Sequence, residues 1–326
     1  MRSTTLQCLS KHANSWQIPI VKAIFQWAAV LLMLISCSAF AVTDILVLQS
    51  HDSAPYQQTL AGFRSGLAKS KLEVAYHVLN IPDQSDVNIL QQQLQTSQPS
   101  LILTLGTPAT RLAMLQGSNI PIIAGMVLET DELRQNHHTT GVGLNFPVTE
   151  QWQWLRRLLP DARQIAVILD AQQGASVFQA LQKLAVAEGI TLIPATATNA
   201  EDFSTLMQNL PSQLDALWAV EGASAYNAAA VRELLLYSFR NRVPLIGLSA
   251  QWVKAGALYA LDWDFSDLGL QTAELAKSIL LQGSAPSSLL PQTPHKARLV
   301  FNLKTADHMK LQISERLLSE MSEVFQ

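Results

Sequence analysis

The chain contains very little cysteine. Its only two cysteines, Cys8 and Cys37, both lie within the first 41 of its 326 residues. The rest of the chain has no thiol, so disulfide bonds and thiolate metal sites are excluded there unless Cys37 itself is retained. Charged residues are also scarce, at 14% of the chain, whereas hydrophobic residues make up 48% and can fill a sizeable core.

The common signatures of catalysis and nucleotide binding are missing as well. No G-x-S-x-G elbow accompanies His51 and Asp52, and adjacency in sequence is not the geometry of a hydrolase triad. Gly141-Val142-Gly143 lacks the third glycine of a dinucleotide fingerprint, and no G-x-x-x-x-G-K-[ST] loop occurs. The adjacent His137 and His138 lack metal-ligand spacing. We therefore predict a protein that is not an enzyme and has no cofactor or metal.

Acidic residues slightly outnumber basic ones. The first 41 residues hold three basic and no acidic residues, so removing them leaves 19 basic and 25 acidic residues, a net charge of −6. A nucleic-acid-binding protein would show a basic footprint instead. We predict no nucleic-acid partner.

The amino-terminal segment has the order of a secretory signal. Arg2, Lys11 and Lys22 precede or border an apolar run from Ala23 to Ile35 that only Gln26 interrupts. A small-residue segment follows, as in a signal peptide. The run is too short to cross a bilayer as a stable helix, which needs about 20 apolar residues.

Two processing sites compete at the end of this segment. Ala39-Phe40-Ala41 is an A-x-A site, which predicts a signal peptide of residues 1–41 and a periplasmic mature chain that starts near Val42. Leu34-Ile35-Ser36-Cys37 resembles a bacterial lipoprotein box, which would leave Cys37 lipidated and the protein anchored in the envelope. Cleavage after Ala41 is favoured because only six residues separate Cys37 from Asp44, where the first strand pattern begins.

Short apolar runs alternate with helical patterns from Asp44 onward. Ile45 to Leu48 and Leu101 to Leu105 are typical of buried strands, and helical spacing separates them. A second series of the same design follows Asn145. The alternation predicts an α/β protein with two doubly wound lobes, each built on a parallel sheet. The last stretch, which ends in a predicted strand and terminal helix, is natural if the chain returns to the earlier lobes.

Small polar residues follow the predicted strands, and ligands of open parallel sheets bind outside the carboxyl ends of the strands. Such residues can expose backbone amides at helix starts, which suits an anionic group such as a carboxylate. The same residue types are also ordinary N-caps and turn residues, so capping alone remains open for each segment. The candidates at these positions are Ser50, His51, Gly106, Thr107, Pro108, Ala109, Asp170, Glu221 and Ser249.

The carboxyl-terminal third carries the clearest family pattern. In this order and spacing, Val243–Ser249, Val253–Leu258, Asp264–Thr272 and Leu299–Ala306 resemble the type I periplasmic substrate-binding proteins of ABC transporters, in the branch that includes tryptophan and tyrosine binders. Ser100–Ala109 is similar to the first-lobe ligand loop of that family. The resemblance spans essentially all of residues 44–326.

The resemblance implies the type I periplasmic binding protein fold, in which three crossing segments join two lobes. These would lie near Asn145, at Ala257–Asp264 and at Arg298–Asn302. Lobe 1 would comprise residues 44–144 and about 264–297, and lobe 2 would comprise about 145–263 and about 298–326. The lobes would close on a ligand between them, and Gly106-Thr107-Pro108-Ala109 would contact its carboxylate through backbone amides and the Thr107 hydroxyl.

Three positions depart from the family pattern. Glu221-Gly222-Ala223 replaces Thr-Asp-Asn, Leu248-Ser249-Ala250 replaces Ser-Ser-Glu, and Met126–Glu129 stands where Asp-Pro is expected. Acidic groups for a ligand ammonium are thereby lost or moved. Glu221 or Asp264 would have to take that role, so the resemblance implies only a small polar or amino-acid-like ligand.

Two functions remain open on the sequence. The first is a monomeric, noncatalytic envelope protein that captures a small solute for an ABC-type membrane permease. The second is a ligand-sensing or docking module for a membrane partner, such as a sensor kinase or an outer-membrane receptor. The altered acidic positions favour the second, and the extent of the resemblance favours the first.

Overall fold

The structure, a computed structural model, describes residues 42–70, 72–81, 87–116, 119–128, 130–170, 174–199, 202–220 and 226–326. The predicted signal peptide, with Cys37, lies outside these ranges, and so does Glu221. Within the described ranges, no helix combines the length and apolar character that crossing a membrane requires.

The first sheet is entirely parallel, and the buried strands at its centre explain why. Residues 45–48 and 101–103 are almost completely buried on both faces, which is the pattern of a parallel sheet covered by helices. Its strands are β1 (Thr43–Gln49), β2 (Val74–Asn80), β3 (Leu101–Leu105), β4 (Ile122–Val127) and β5 (Thr139–Gly143), in the order β2-β1-β3-β4-β5. The described helices between them are α1 (Ala54–Ala68), α2 (Val87–Ser97), α3 (Thr107–Leu115) and a 3-10 helix (Thr130–Gln135).

The second sheet has seven strands and one antiparallel contact. Its strands are β6 (Gln164–Asp170), β7 (Thr191–Ala197), β8 (Ala216–Ala219), β9 (Leu245–Gly247), β10 (Tyr259–Trp263), β11 (Ala297–Asn302) and β12 (Glu323–Phe325), in the order β12-β11-β10-β9-β8-β6-β7. Only β10 and β11 pair antiparallel.

Helices cover both faces of this second sheet as well. The described helices of this half of the chain are α4 (Val148–Leu158), α5 (Gly174–Ala187), α6 (Asp202–Gln208), α7 (Ala228–Asn241), α8 (Ala250–Ala255), α9 (Phe265–Gln282), a 3-10 helix (Pro286–Ser288), α10 (Leu303–His308) and α11 (Glu315–Ser319). One face packs Trp152 and Leu155 of α4, and the other packs Phe203 of α6 and Leu234 of α7.

The chain passes between the sheets at the carboxyl ends of their strands. After β5 ends at Gly143, the chain enters α4, which packs on the second sheet. After β10 ends at Trp263, it enters α9, which packs back on the first sheet. The third passage runs along β5, where Gln292 bridges Val142 in the parallel direction, and then enters β11. All three connections therefore meet at one edge of each sheet.

The predicted fold class is confirmed: two α/β lobes built on parallel sheets. The ranges Ala257–Asp264 and Arg298–Asn302, which the resemblance assigned to crossings, are instead largely strands β10 and β11, with the crossings at their ends. The single terminal helix was also a wrong prediction, because that segment forms α10, α11 and the short edge strand β12. The residue boundaries of the lobes stay predictions.

The contact between α1 and α9 brings the two helix backbones unusually close. A Cβ atom on Gly269 would lie 2.0 Å from the carbonyl oxygen of Thr59, and one on Gly62 would lie 2.1 Å from the carbonyl oxygen of Ser266. Both contacts are far inside van der Waals distance, so neither position accepts a side chain without displacing a helix. The two glycines thus allow α9, which follows β10 in sequence, to pack against the first sheet.

We expect Gly269→Ala to lower the free energy of unfolding by about 1–3 kcal/mol. Alanine is the better helix former by about 1 kcal/mol, but the helices must separate to admit the new methyl group, and that separation loosens the buried contacts around it. Chemical denaturation of the two proteins measures the difference.

The matched control is Glu274→Ala on the same helix. The Glu274 side chain is 68% exposed and pairs only with Lys277 three residues on, so its loss should cost less than about 0.5 kcal/mol. Equal stabilities of Gly269→Ala and the native protein would contradict the close-packing argument.

Candidate functional site

The candidates of the first lobe form one cluster at the carboxyl ends of β1 and β3. The buried Ser50 hydroxyl accepts a hydrogen bond of 3.0 Å from the backbone N–H of Ala109 in the first turn of α3. Ser50 thus serves as a helix cap supplied by a neighbouring strand, although it is 59 residues away in sequence. Its hydroxyl stabilises the start of α3.

Gly106 turns the chain from β3 into α3 in a conformation that favours glycine. Its φ is 91° and its ψ is 152°, in the region that residues with a side chain rarely adopt. A Cβ atom here would also lie 2.8 Å from Ser50 Oγ and 2.9 Å from Tyr56 Oη. The turn therefore brings the Tyr56 phenol, whose pKa burial raises, beside the start of α3.

Thr107, the first residue of α3, carries the polar groups of this turn that have no hydrogen-bond partner among the described residues. Its hydroxyl has no hydrogen-bond partner in the described part of the chain, and its backbone N–H lies at the helix start, where no intrahelical acceptor exists. The residue is half-buried. Helix starts of this kind favour anions, because unpaired N–H groups and the helix dipole act together.

The remaining candidates of this lobe lie beside Thr107 but differ in exposure. Pro108 is exposed at the second position of α3, and Ala109 is fully buried. His51 is exposed, and its ring meets that of Tyr56 edge-on at 5.5 Å. Tyr56, which the sequence analysis missed, occupies the first turn of α1; its distance from Gly106 in sequence hid their proximity.

The remaining described candidates lie at the carboxyl ends of β6, β9 and β10 of the second sheet. Ser249 is the N-cap residue of α8, yet its side chain makes no capping hydrogen bond. Asp264 caps α9 by accepting a hydrogen bond of 3.0 Å from the N–H of Asp267, which matches the capping alternative. Asp170 ends β6 at the same edge, but its side chain is not described, and Glu221 lies outside the described residues. No hydrogen bond joins these described candidates to those of the first lobe.

Asp262 is a buried acid at this edge that the sequence analysis missed. It is 8% exposed, and its carboxylate accepts a hydrogen bond of 3.0 Å from the N–H of Trp263. Burial raises its pKa, and hydrogen bonds from the N–H groups of Trp263 and Ala250 partly offset that rise. Asp262 thus accepts a hydrogen bond from the N–H of Ala250, the first residue of α8.

Aromatic side chains pack where the chain crosses between the sheets. The Trp263 indole N–H donates a hydrogen bond of 2.7 Å to the carbonyl oxygen of Leu144, which joins the first crossing to the second. The Phe146 ring stacks on Trp263 with centroids 6.0 Å apart, and Phe265 also lies 6.0 Å from it. These contacts hold two connections together beside the carboxyl ends of both sheets.

A small cavity of about 20 Å³ opens next to these crossings on the second sheet. Phe146, Gln151, Trp218 and Tyr259 contribute to its lining. The Tyr259 hydroxyl is buried without a hydrogen-bond partner among the described residues, and burial raises its pKa. An unsatisfied donor in an aromatic cavity is a place for a polar atom from outside the chain.

The described residues contain no cluster of three or more His, Cys, Asp or Glu side chains that could hold a metal ion. The described residues instead combine uncommitted hydrogen-bond donors in one lobe, a buried acid in the other, and aromatic side chains at the connections. Such a combination suits a small polar molecule.

Because of Asp262, the free energy of unfolding should decrease as the pH rises. Because its pKa is raised in the folded state, the stabilisation from its protonated form is complete below about pH 4, the ordinary carboxyl range, and is lost as the pH rises through the raised value. We expect the Asp262→Asn variant not to lose stability in this way as the pH rises. Its unfolding free energy relative to the native protein should therefore increase from pH 3 toward about pH 7, as measured by denaturation at each pH. Parallel curves for the two proteins would contradict the burial argument.

Known proteins resemble this chain along most of its length. A tyrosine-binding protein of Clostridioides difficile (strain R20291) is 20% identical over 241 residues, which cover 70% of this chain and 69% of that protein. The ABC domain from Streptococcus pneumonia, solved in complex with L-Trp, aligns with a TM-score of 0.65 and 21% identity, over 87% of this chain and 100% of that one.

A substrate binding protein with adhesive properties from Clostridium difficile, solved in its ligand-free, open form, aligns with a TM-score of 0.72 and 18% identity, over 87% of this chain and 100% of that one. At such identities the structural likeness establishes the fold, and the predicted type I periplasmic binding protein fold is confirmed. The similar proteins are solute-binding proteins, which confirms the prediction that this chain is not an enzyme. A family model for ABC transporter substrate binding proteins matches residues 42–325. The chain belongs to the ABC transporter substrate binding protein family.

Proposed function

We propose that the protein captures a small polar or amino-acid-like solute between its two lobes and presents it to an ABC-type membrane permease. The observation that carries this proposal is the start of α3. There the Thr107 hydroxyl and N–H lack partners among the described residues, while Ser50 already satisfies the N–H of Ala109. In the turn from β3 into α3, Thr107 therefore has the free hydrogen-bond donors, which suits a ligand carboxylate.

The topology supports a site between the lobes. The carboxyl ends of the strands in both sheets are the positions where α/β sheets bind ligands, and the three crossings connect these two edges. Two rigid lobes joined by short connections can close around a ligand by bending at the connections. The aromatic contacts of Trp263 with Leu144 and Phe146 would lie at the axis of that closure.

An amino group on the ligand would need an acidic partner in the second lobe. Asp264 already accepts the N–H of Asp267, which leaves it one carboxylate oxygen. Glu221 follows Val220 in sequence, and it is the acid that stands where the family usually has Thr-Asp-Asn. The similar proteins that bind tyrosine or were solved with L-Trp make the aromatic amino acids the first ligands to test.

Substrate-binding proteins of ABC transporters act outside the cytoplasm, and we propose a periplasmic location for this one. The sequence of residues 1–41 supports export. We expect a mature chain that begins at Val42, and mass spectrometry of protein purified from its own host measures its amino terminus. A diacylglyceryl group on Cys37 would contradict this and establish the lipid-anchored alternative.

A second candidate function is a docking or sensing module for a membrane partner such as a sensor kinase. It is favoured by one observation, the loss of the family's acidic residues at positions 222 and 250. Isolation of a kinase or receptor complex in place of a permease complex would support it.

We expect Thr107→Val to weaken ligand binding by about ten- to a hundredfold, because a hydrogen bond to a charged group contributes about 1.5–3 kcal/mol. Calorimetry would be performed with the ligand that gives the largest thermal shift in a panel of aromatic amino acids, other amino acids and small carboxylates.

Thr96→Val is the matched control. Its hydroxyl is exposed on α2 and donates only to carbonyl oxygens of its own helix, so its removal should leave the dissociation constant unchanged. The proposal fails if no member of the panel binds, or if Thr107→Val and Thr96→Val bind the ligand equally well.

A further inference from the structure

Helix α7 carries two apolar stripes, and only one of them is buried. Ala230, Leu234 and Ser238 face the second sheet and are buried. Val231, Leu235 and Phe239 form a second stripe at spacings of four, which lines an open groove; Leu235 also touches the core at its edge, and Phe239 is exposed. An amphipathic surface helix needs one apolar stripe for its own core, so the second stripe is available to another molecule.

This second stripe is one wall of an open groove of about 730 Å³, which we call the α7 groove. The facing wall is formed by Trp252 and Ala255 of α8, and α10 closes one end. Phe239, at that end, is 61% exposed. Its ring is nevertheless fixed, because it stacks on His308 with centroids 4.0 Å apart and parallel planes.

The α7 groove is basic in a protein that is otherwise acidic. Arg232, Lys304 and His308 line it, and none of the described lining residues is acidic. Arg232 and Lys304 are exposed and have no ion-pair partner within the described part of the chain. Three cations around an apolar floor complement a molecule that has an apolar face flanked by carboxylates.

We propose that the α7 groove binds an acidic amphipathic helix of a partner protein. Sites for small molecules are clefts that bury most of the surface of the ligand, whereas this groove is open to solvent. Grooves between surface helices bind the apolar face of an incoming helix, and the α7 residues that line this groove run from Ala228 to Phe239, which is about 18 Å of helix.

The amino-terminal segment of this chain does not have the required charge. Residues 1–41 hold three basic and no acidic residues, so their charge has the same sign as that of the groove. The groove also lies apart from the candidate ligand-binding residues, since it contains none of them. The proposal therefore stands independently of the ligand between the lobes.

The test uses a labelled synthetic helix of about 14 residues, the length of α7, with leucines on one face and glutamates on the other. Fluorescence anisotropy with the purified protein measures its dissociation constant. We expect binding that Arg232→Glu and Phe239→Ser each weaken by at least about tenfold, and that added salt weakens. A peptide with lysine in place of each glutamate should also bind at least about tenfold less tightly.

Arg240→Glu is the matched control, because Arg240 is exposed on the same helix but does not line the groove. It should change the dissociation constant by less than about twofold. Thermal unfolding of each variant checks that the fold is intact, and the lysine peptide tests the charge argument on the unaltered protein.

Four results would overturn the proposal. Equal affinity for the glutamate and lysine peptides, or equal losses from Arg232→Glu and Arg240→Glu, would remove the charge argument. Displacement of the peptide by oleate that itself binds in the groove would identify an acyl-chain site. A dimer in sedimentation equilibrium that Phe239→Ser dissociates would identify a second copy of the chain as the occupant.

Discussion

The close packing of α9 against α1 is the contact on which the rest of the architecture depends. Helix α9 follows a strand of the second sheet but packs on the first, and it can do so because Gly62 and Gly269 let the helix backbones approach to distances that exclude a side chain. Once α9 is held there, the chain must cross between the sheets before it and again after it. The crossing that leads into α9, the crossing that follows it, and the return of β11 to the second sheet all follow from the contact between α1 and α9.

The crossings in turn determine where a ligand can be bound. They connect the carboxyl ends of both sheets, so the polar turns that follow the strands adjoin the only described connections between the lobes. Hydrogen bonds within each lobe then decide which polar groups remain available. Ser50 and Asp262 each serve a helix start on a neighbouring segment, and this leaves Thr107 and Ser249 without capping partners of their own.

Much of the fold could be predicted from the sequence, because β1 and β3 are continuous apolar runs and their separating helices are long. Strand β5 was harder, since Thr139–Gly143 contains two threonines and two glycines and gains its burial from neighbouring elements. Strand β12 has only three residues and exists because β11 offers it an edge. The sequence could place the candidate site at the carboxyl ends of the strands. The difference between a capping serine and a free threonine was not, because it depends on pairs such as Ser50 and Ala109, which are 59 residues apart.

The position of α9 in the chain also constrains the order of folding. The last strand of the first sheet ends at Gly143. Helix α9, which packs against Phe63 and Leu67 of α1 on one side of that sheet, begins only at Phe265. A chain that emerges from its amino terminus therefore exposes this apolar face until more than a hundred further residues have followed, and such exposure is where large chains aggregate. The second sheet is likewise incomplete until the chain has reached β11. Each lobe therefore contains an element that the chain reaches only after elements of the other lobe.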